Sequence, residues 1–269
     1  MMQLNKTAVL TIACLFLFSC SNTTLKKRND LTDMGLKGKV KTLKETFKAL
    51  DYGVAINKGD SFFYSSTFNE KGNMIEQDHY NSYGRLDSKD IYKYDEKGNK
   101  IGFVEEGGYD NLRVIASYKY DEKGNMIKVD IDDLIRKINK IVDYKYDQKG
   151  NKVEEHRVDL AGFAYNYNLP DRNLINEKVT YEYDEKGNVI EEDIEDLESE
   201  TIKITYKYDK RGTVIEVKHY FPGGPLDFIT TYKYEFNKKG NWIKRTEFVT
   251  KDGKTVVPQM ITEREIEYY

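Results

Sequence analysis

Aromatic and charged residues alternate along most of this chain, and each alternating run ends at the same kind of turn. The run Tyr-Lys-Tyr at 92–94 is followed by Asp95-Glu96-Lys97-Gly98, and a new run begins at residue 100. A period of two places alternate side chains on opposite faces of a β-strand. The turn supplies an Asp that can cap it and a Gly that can adopt a left-handed backbone. The pattern predicts antiparallel β-hairpins.

The hairpin recurs along the chain at a nearly constant interval. Its turn glycines are separated by 26, 26, 26, 37, 25 and 28 residues, and they are Gly72, Gly98, Gly124, Gly150, Gly187, Gly212 and Gly240. Half a repeat, about 13 residues, accommodates one strand and one turn. Single strands at 38–49 and 261–269 complete an antiparallel meander of about 16 strands. Sheets of more than about ten strands usually curl or fold back. We therefore predict an all-β fold that curls into a roll or an open sandwich.

The register of the hairpins follows from the need to keep apolar side chains on one face. A four-residue loop over 95–98 satisfies that need, whereas a three-residue loop mixes the two faces. The predicted apolar face contains Tyr92, Tyr94, Ile101 and Phe103, and the opposite face contains Lys93 and Lys100.

The consensus Tyr-x-Tyr-Asp-x-x-Gly-Asn-x-Ile/Val resembles the YD repeat of the RHS-repeat family. The resemblance covers seven copies and nearly all of the chain after residue 36. It implies hairpin repeats that wind into curled or spiral sheets, which in large members enclose a toxin segment. This chain has no segment for such a cargo, so we do not expect toxin encapsulation. The family supplies no catalytic residues, and the role of its short lipid-anchored bacterial members is mostly unassigned.

The first twenty residues predict an export signal and a lipid anchor. Lys6 precedes an apolar run of eleven residues, Ala8 to Phe18, which is too short to cross a bilayer as a helix. The run ends in Leu-Phe-Ser-Cys, which resembles a bacterial lipobox with Cys20 as the acylated residue. The alternative is an ordinary signal peptide in which Cys20 occurs by chance. We assign 1–19 to the signal peptide, 20–35 to a lipidated tether and 36–269 to the repeat domain, and we expect a bacterial envelope location at the outer membrane.

The charge and the tyrosine content limit the classes of ligand that we expect the protein to bind. The net charge is -3, and Lys alternates with Glu, which does not favour nucleic acid. The 22 tyrosines suit a half-buried sheet face. They are either the packing core or an aromatic platform for a glycan or a protein, and both interpretations stay open. The candidate ligand-binding residues are Tyr92, Tyr94, Tyr118, Tyr120, Tyr144 and Tyr146, with Tyr165 and Tyr167 in an insertion at 159–173. That insertion is either a functional loop or a neutral addition.

A closed sixteen-strand transmembrane barrel does not fit the sequence pattern. Its strands need about 9 to 11 residues and few outward charges. The strands predicted here are shorter and charged on one face, so we favour attachment through the lipid alone.

Catalytic and metal-binding patterns are weak. His79, His156 and His219 are not spaced as metal ligands, and we interpret His156 and His219 as surface residues. Each Asp-x-x-Gly-Asn turn offers too few oxygens for calcium. We expect no metal or cofactor.

Carboxylates such as Glu105, Glu154 and Glu191 recur with the repeats, as in a solvated face. We predict non-catalytic binding or scaffolding at the envelope, and the alternative is an envelope hydrolase that uses repeat carboxylates.

Overall fold

The computed structural model describes residues 29–50, 61–107, 112–135, 137–161, 176–196, 201–250 and 255–269. Within these ranges the chain forms a short helix, α1 (Asp30–Asp33), and sixteen strands. The strands are β1 (Val40–Ala49), β2 (Ser61–Phe68), β3 (Met74–Tyr80), β4 (Leu86–Tyr94), β5 (Lys100–Gly107), β6 (Leu112–Tyr120), β7 (Met126–Asp133), β8 (Ile138–Tyr146), β9 (Lys152–Ala161), β10 (Asn176–Tyr183), β11 (Val189–Glu195), β12 (Thr201–Tyr208), β13 (Val214–Tyr220), β14 (Leu226–Phe236), β15 (Trp242–Thr250) and β16 (Val256–Tyr268).

The sixteen strands form one closed antiparallel barrel. Every strand pairs with its neighbours in the sequence, and β1 pairs with β16, from Val40 opposite Tyr268 to Ala49 opposite Met260. The predicted all-β meander of about sixteen strands is confirmed. The predicted roll or open sandwich is wrong, because the first and last strands satisfy each other's free edges. Closure removes both unpaired edges, so the sheet needs no helix or second layer to protect them.

The hairpin register differs from the prediction by one residue. Tyr94 lies opposite Lys100 and Tyr92 lies opposite Phe103, so a β-bulge accommodates the extra residue, Ile101. Lys100 therefore shares the tyrosine face, and its amino group lies 4.3 Å from the centroid of the Tyr92 ring. Ile101 points outward and is 48% exposed. Because of the bulge, the residues of the strand after each turn point to the opposite faces from those that strict alternation predicts. The alternation pattern alone could not predict this change.

The predicted turn chemistry is present in the structure. All seven repeat glycines have a positive φ, between 75° and 86°. In the second turn the Gly98 N–H donates to the carbonyl of Asp95 (2.9 Å), and the Asp95 carboxylate accepts from the Asn99 N–H (2.8 Å). We call the barrel end that carries these seven turns the repeat rim.

The two faces of the sheet differ in chemistry. The inner wall contains two buried apolar clusters, one around Leu43 and Phe68 at the β1/β16 seam and one around Val217 and Tyr206. The outer wall contains cross-strand ion pairs such as Lys44–Glu265 (2.9 Å). The outward charges agree with the predicted solvated face.

The segment before β1 packs against the repeat rim. The Asn29 side chain caps α1, the Leu31 N–H donates to the Gly72 carbonyl (3.1 Å), and the Lys37 N–H donates to the Asn241 side chain (2.6 Å). We call residues 29–39 the clasp, because they connect the first and last repeat turns. The clasp includes residues 29–35 of the predicted tether, and these residues pack on the barrel.

Several predictions concern residues outside the described ranges. The signal peptide, Cys20, and Tyr165 and Tyr167 of the insertion lie there, and they stay predictions. Within the described ranges, no helix combines the length and the hydrophobicity that crossing a bilayer requires.

Candidate functional site

The candidate site is the inner wall of the barrel, where the repeat tyrosines form two rows. In each row the residues come from successive even-numbered strands, and nearly all are half-buried. The rim row, next to the repeat turns, is Tyr94, Tyr120, Tyr146, Tyr183, Tyr208 and Tyr234. The deep row, two residues earlier on each strand, is Tyr92, Tyr118, Tyr144, Tyr181, Tyr206 and Tyr232.

The rim row has a structural role. The Tyr120 hydroxyl donates to the Lys100 carbonyl (2.8 Å), and the Tyr146 hydroxyl donates to the Met126 carbonyl (2.7 Å). The same bond, to the carbonyl two residues after the preceding repeat glycine, occurs at the other four rim tyrosines. Burial raises the pKa of Tyr120 to about 12, so its hydroxyl remains a donor. These hydroxyls connect successive hairpins.

The deep row is less uniform. The Tyr92 hydroxyl donates to the Asp90 carboxylate (3.2 Å), and the Tyr181 hydroxyl donates to the Glu155 carboxylate (3.0 Å). The hydroxyls of Tyr118 and Tyr144 have no hydrogen-bond partner in the part of the chain that the structure describes. Burial raises the pKa of both residues, so both are neutral donors. Among the six predicted tyrosines that the structure describes, these two are free to bind a ligand.

A buried charge network lies beside Tyr144. Glu155 is only 6% exposed and accepts from Lys152 (2.6 Å) and Arg157 (2.5 Å). Burial acts to raise the pKa of Glu155, but the charges of Lys152 and Arg157 outweigh it and lower that pKa. The Lys152 amino group also lies 5.3 Å from the centroid of the Tyr144 ring. Tyr144 therefore has an ionised polar neighbour on its own wall.

Trp242 marks a second aromatic region, at the seam. The Arg264 guanidinium lies 3.4 Å from the Trp242 ring centroid and forms an ion pair with Glu45 (2.9 Å). Arg245 lies 5.5 Å from the same ring. The alternation pattern did not predict this region. The available signal was the only Trp of the chain, which occupies the position two after the repeat glycine where other repeats have Met, Lys or Val.

The interpretation of Glu105 as part of a solvated face is wrong. Glu105 lies opposite Val114 on the inner wall, and burial, followed by the charge of Asp90, raises its pKa. Glu154 and Glu191 do lie on the outer wall, where Glu154 pairs with Lys178 (3.4 Å) and Glu191 with Lys203. Strand parity explains the difference, because Glu105 is seven residues after its turn glycine and the other two are four residues after theirs.

The three histidines occupy different environments. His79 contacts the Asp90 carboxylate (3.1 Å) on the inner wall, whereas His156 is an exposed outer residue, as predicted. His219 was predicted to be a surface residue, and this is wrong, because it is half-buried on the inner wall. It stacks on Phe228 at 4.1 Å between ring centroids, and burial lowers its pKa. Across the described ranges, no three His, Cys, Asp or Glu side chains converge in a way that could hold a metal ion.

Comparison with known proteins identifies a shared fold but no family. No family model matches the chain, and no curated protein matches it. The crystal structure of a porin-like protein from Bacteroides uniformis is similar, with a TM-score of 0.56 at 9% identity over 85% of this chain and 98% of that chain. A porin-like protein from Bacteroides vulgatus gives a TM-score of 0.47 at 11% identity over 87% of this chain and 99% of that chain. The first similarity supports the barrel architecture.

Proposed function

We propose that this protein is a lipid-anchored protein of the bacterial envelope that binds a glycan, without catalysis, on the inner wall of its barrel. The observation that carries the proposal is the pair Tyr118 and Tyr144. Their rings are half-buried on the inner wall of adjacent repeats, and their hydroxyls are unpartnered within the described ranges. A protein ligand is the other class that we expected from the sequence, and the experiment below distinguishes the two.

A glycan suits this wall for chemical reasons. Aromatic rings provide apolar faces with a polar edge, which match the alternating apolar and hydroxylated surfaces of a sugar. Beside Tyr144, the network of Lys152, Glu155 and Arg157 supplies charged donors and acceptors. Binding sites of this kind combine apolar area with a few fixed polar groups.

The outer wall supports attachment through lipid at Cys20 and not through the strands. A lipid-facing barrel needs an apolar band, and a Lys or Arg at its midplane costs about 2 to 4 kcal/mol. Here the outer faces of β4, β12 and β15 contain Lys89, Lys203 and Lys244, each in an ion pair with a neighbouring strand. The porin-like description belongs to the similar Bacteroides proteins. For this chain we propose a barrel of the same architecture whose outer wall faces water. An acyl group on Cys20 holds it at the membrane, and its repeats resemble the YD repeat.

The proposal is tested with the full-length Cys20→Ser protein, which lacks the acylation site and is purified without detergent. We expect saturable binding on an array of envelope glycans, and at least about tenfold weaker binding by Tyr118→Ala/Tyr144→Ala. Ile115→Ala/Ile141→Ala is the matched control, because it removes outward side chains from the same two strands. Binding to no glycan, with capture of one envelope protein that depends on Tyr118 and Tyr144, would assign the wall to a protein ligand. Equal losses in both variants would contradict the proposed site.

A second candidate function, glycan hydrolysis, is favoured by one specific cluster. Glu105 has a raised pKa, and the charge of Asp90 contributes to it after burial. His79 contacts that Asp90 carboxylate. A pair of carboxyl groups, one of them with a raised pKa, is the arrangement that glycosidases use. Release of reducing sugar from a bound glycan, lost in Glu105→Gln, would support this candidate. A bound glycan that stays intact would leave binding as the function.

A further inference from the structure

The repeat rim is not uniform in charge. In the first five repeat turns, the residue two before the glycine is Glu70, Glu96, Glu122, Gln148 or Glu185, and the residue just before the glycine is Lys. In the sixth and seventh turns both positions are basic, with Lys210-Arg211 and Lys238-Lys239. The earlier turn tips therefore nearly balance their charges, whereas the last two tips are strongly positive.

The clasp adds two more cations beside those tips. Lys37 hydrogen-bonds Asn241 through its backbone, next to the seventh turn, and Tyr269 donates its N–H to the Lys39 carbonyl (3.0 Å). Lys239 lies 3.3 Å from the centroid of the Tyr268 ring, at the end of β16. We call this set the basic patch. It consists of Lys37, Lys39, Lys210, Arg211, Lys238 and Lys239, and all six residues are exposed.

The basic patch is not neutralised by nearby carboxylates. Among the described residues, no carboxylate forms an ion pair with any of its six cations. Acidic side chains on the neighbouring strands and turns have other partners. Asp209 accepts the backbone N–H groups of residues 211 and 213, Glu235 pairs with Lys244, and Glu267 pairs with Lys41. The patch therefore presents a free positive surface.

The chain before the clasp leaves the barrel at the same rim. Asn29 donates its side-chain amide to the carbonyl of Lys71 in the first turn (2.7 Å). Between Cys20 and Asn29 lie only eight residues, and three of them are Lys26, Lys27 and Arg28. Nine residues at about 3.3 to 3.6 Å each span at most about 32 Å. A lipid on Cys20 would therefore hold the repeat rim, and not the opposite end, near the bilayer.

We infer that the basic patch docks on an anionic phospholipid surface and orients the barrel with its repeat rim toward the membrane. This inference rests on the proposed lipid anchor for its geometry. Clustered Lys and Arg beside an anchor add membrane affinity through anionic headgroups, and salt weakens that attraction. The charge of the patch and the short reach of the preceding chain both select a membrane as the partner. The opposite rim, which carries none of these cations, remains open to the envelope.

The test uses the full-length Cys20→Ser protein, so that vesicle binding reports the patch without the acyl chain. Flotation with phosphatidylcholine vesicles containing roughly 30 mol% phosphatidylglycerol is compared with flotation on pure phosphatidylcholine. We expect binding only to the anionic vesicles, and loss of that binding between about 50 mM and about 500 mM salt. The variant Lys210→Glu/Arg211→Glu/Lys238→Glu/Lys239→Glu should bind at least about tenfold more weakly.

The matched control reverses four cations at other turn tips of the same rim. Lys97→Glu/Lys123→Glu/Lys149→Glu/Lys186→Glu changes the net charge equally, and we expect about threefold weakening or less. Equal loss in both variants would overturn the inference, since it would reflect net charge alone. Absence of binding to anionic vesicles would also overturn it. Membrane fractionation of the wild-type chain and Cys20→Ser reports the lipid anchor separately, so failure of the anchor and failure of the patch give different results.

Discussion

Hairpins at the seam and in the middle of the barrel share one consensus sequence but have different surroundings. At the seam, a Cβ on Gly72 would lie 2.5 Å from the Asn29 side chain, whereas a Cβ on Gly124 would meet nothing within 4 Å. The Tyr94 hydroxyl lies within hydrogen-bond distance of both the Asp30 carboxylate (2.8 Å) and the Met74 carbonyl (2.5 Å). The equivalent hydroxyl in the middle, that of Tyr120, has the carbonyl of Lys100.

This difference indicates that one region of the barrel stabilises the fold and that another region is available to bind a ligand. The repeats supply the hairpins, but the non-repeated clasp joins the first and last turns and supports the pairing of β1 with β16. In the part of the chain that the structure describes, the middle of the barrel has no such addition. There the deep-row residues Tyr118 and Tyr144 keep unpartnered hydroxyls on the inner wall, within the described ranges. We infer that the seam holds the barrel closed and that the middle is the surface available to a ligand.

Replacement of the turn asparagine should give the largest contrast between seam and middle. Asn241 is 2% exposed, and its side chain bonds the backbone N–H and carbonyl of Lys37 (2.6 and 2.9 Å). Asn241→Ala leaves buried polar groups unsatisfied and should lower the free energy of unfolding by about 4 kcal/mol. Among the described residues, the side chain of Asn125, in the middle, bonds only its own turn residue Asp121. We expect Asn125→Ala to cost about 1 kcal/mol in urea unfolding. Equal costs would mean that the clasp adds nothing to stability.

Alanine at the turn glycines should give the next largest contrast. Gly72 and Gly124 have φ values of 83° and 86°, so both substitutions strain the backbone by about 1 to 2 kcal/mol. At Gly72 the new Cβ also displaces Asn29, which caps α1, and a lost cap costs about 1 kcal/mol more. For a domain of this size, we expect Gly72→Ala to melt about 2 to 4 °C below Gly124→Ala in a thermal scan. A Gly124→Ala protein that melts at the lower temperature would contradict the packing of the clasp.

Removal of a single rim hydroxyl should give a smaller contrast. Tyr94→Phe loses a contact with a carboxylate and a contact with a carbonyl, which together are worth about 2 kcal/mol. Tyr120→Phe loses one bond to a carbonyl, which is worth about 1 kcal/mol. Chemical denaturation of the two variants measures the difference directly. If Tyr94→Phe were the milder change, Asp30 could not be a partner of Tyr94 in solution.

The sequence predicted the repeated part of the molecule better than the unique part. The alternation and the turn glycines predicted the strands and their number, because strand periodicity and left-handed turn positions are local properties. The register at Lys100 and Ile101 escaped prediction, since a β-bulge is a cooperative choice of the whole hairpin. Closure also escaped prediction, since pairing of Val40 with Tyr268 joins opposite ends of the chain and leaves no local pattern.

The candidate site was predicted in outline only. The sequence identified six inner-wall tyrosines that the structure describes. It could not show which of their hydroxyls have hydrogen-bond partners. Tyr120 and Tyr118 are two residues apart on one strand and one face, but the Tyr120 hydroxyl bonds a carbonyl and the Tyr118 hydroxyl has no partner among the described residues. That depends on the bulge in the preceding hairpin, which brings the Lys100 carbonyl within reach of Tyr120. The clusters around Trp242 and Glu105 became visible only when strand parity was known.

The most direct test of this account compares two double variants of the full-length Cys20→Ser protein, for melting temperature and for affinity toward its array-identified glycan. Tyr118→Phe/Tyr144→Phe removes two unpartnered hydroxyls. We predict that it changes stability by less than about 0.5 kcal/mol and weakens binding by about tenfold. Tyr120→Phe/Tyr146→Phe removes two bonded hydroxyls, and we predict that it costs about 2 kcal/mol of stability and leaves affinity unchanged. The opposite result, with binding lost only in the second variant or stability lost only in the first, would contradict the division of the inner wall into a structural row and a ligand-binding row.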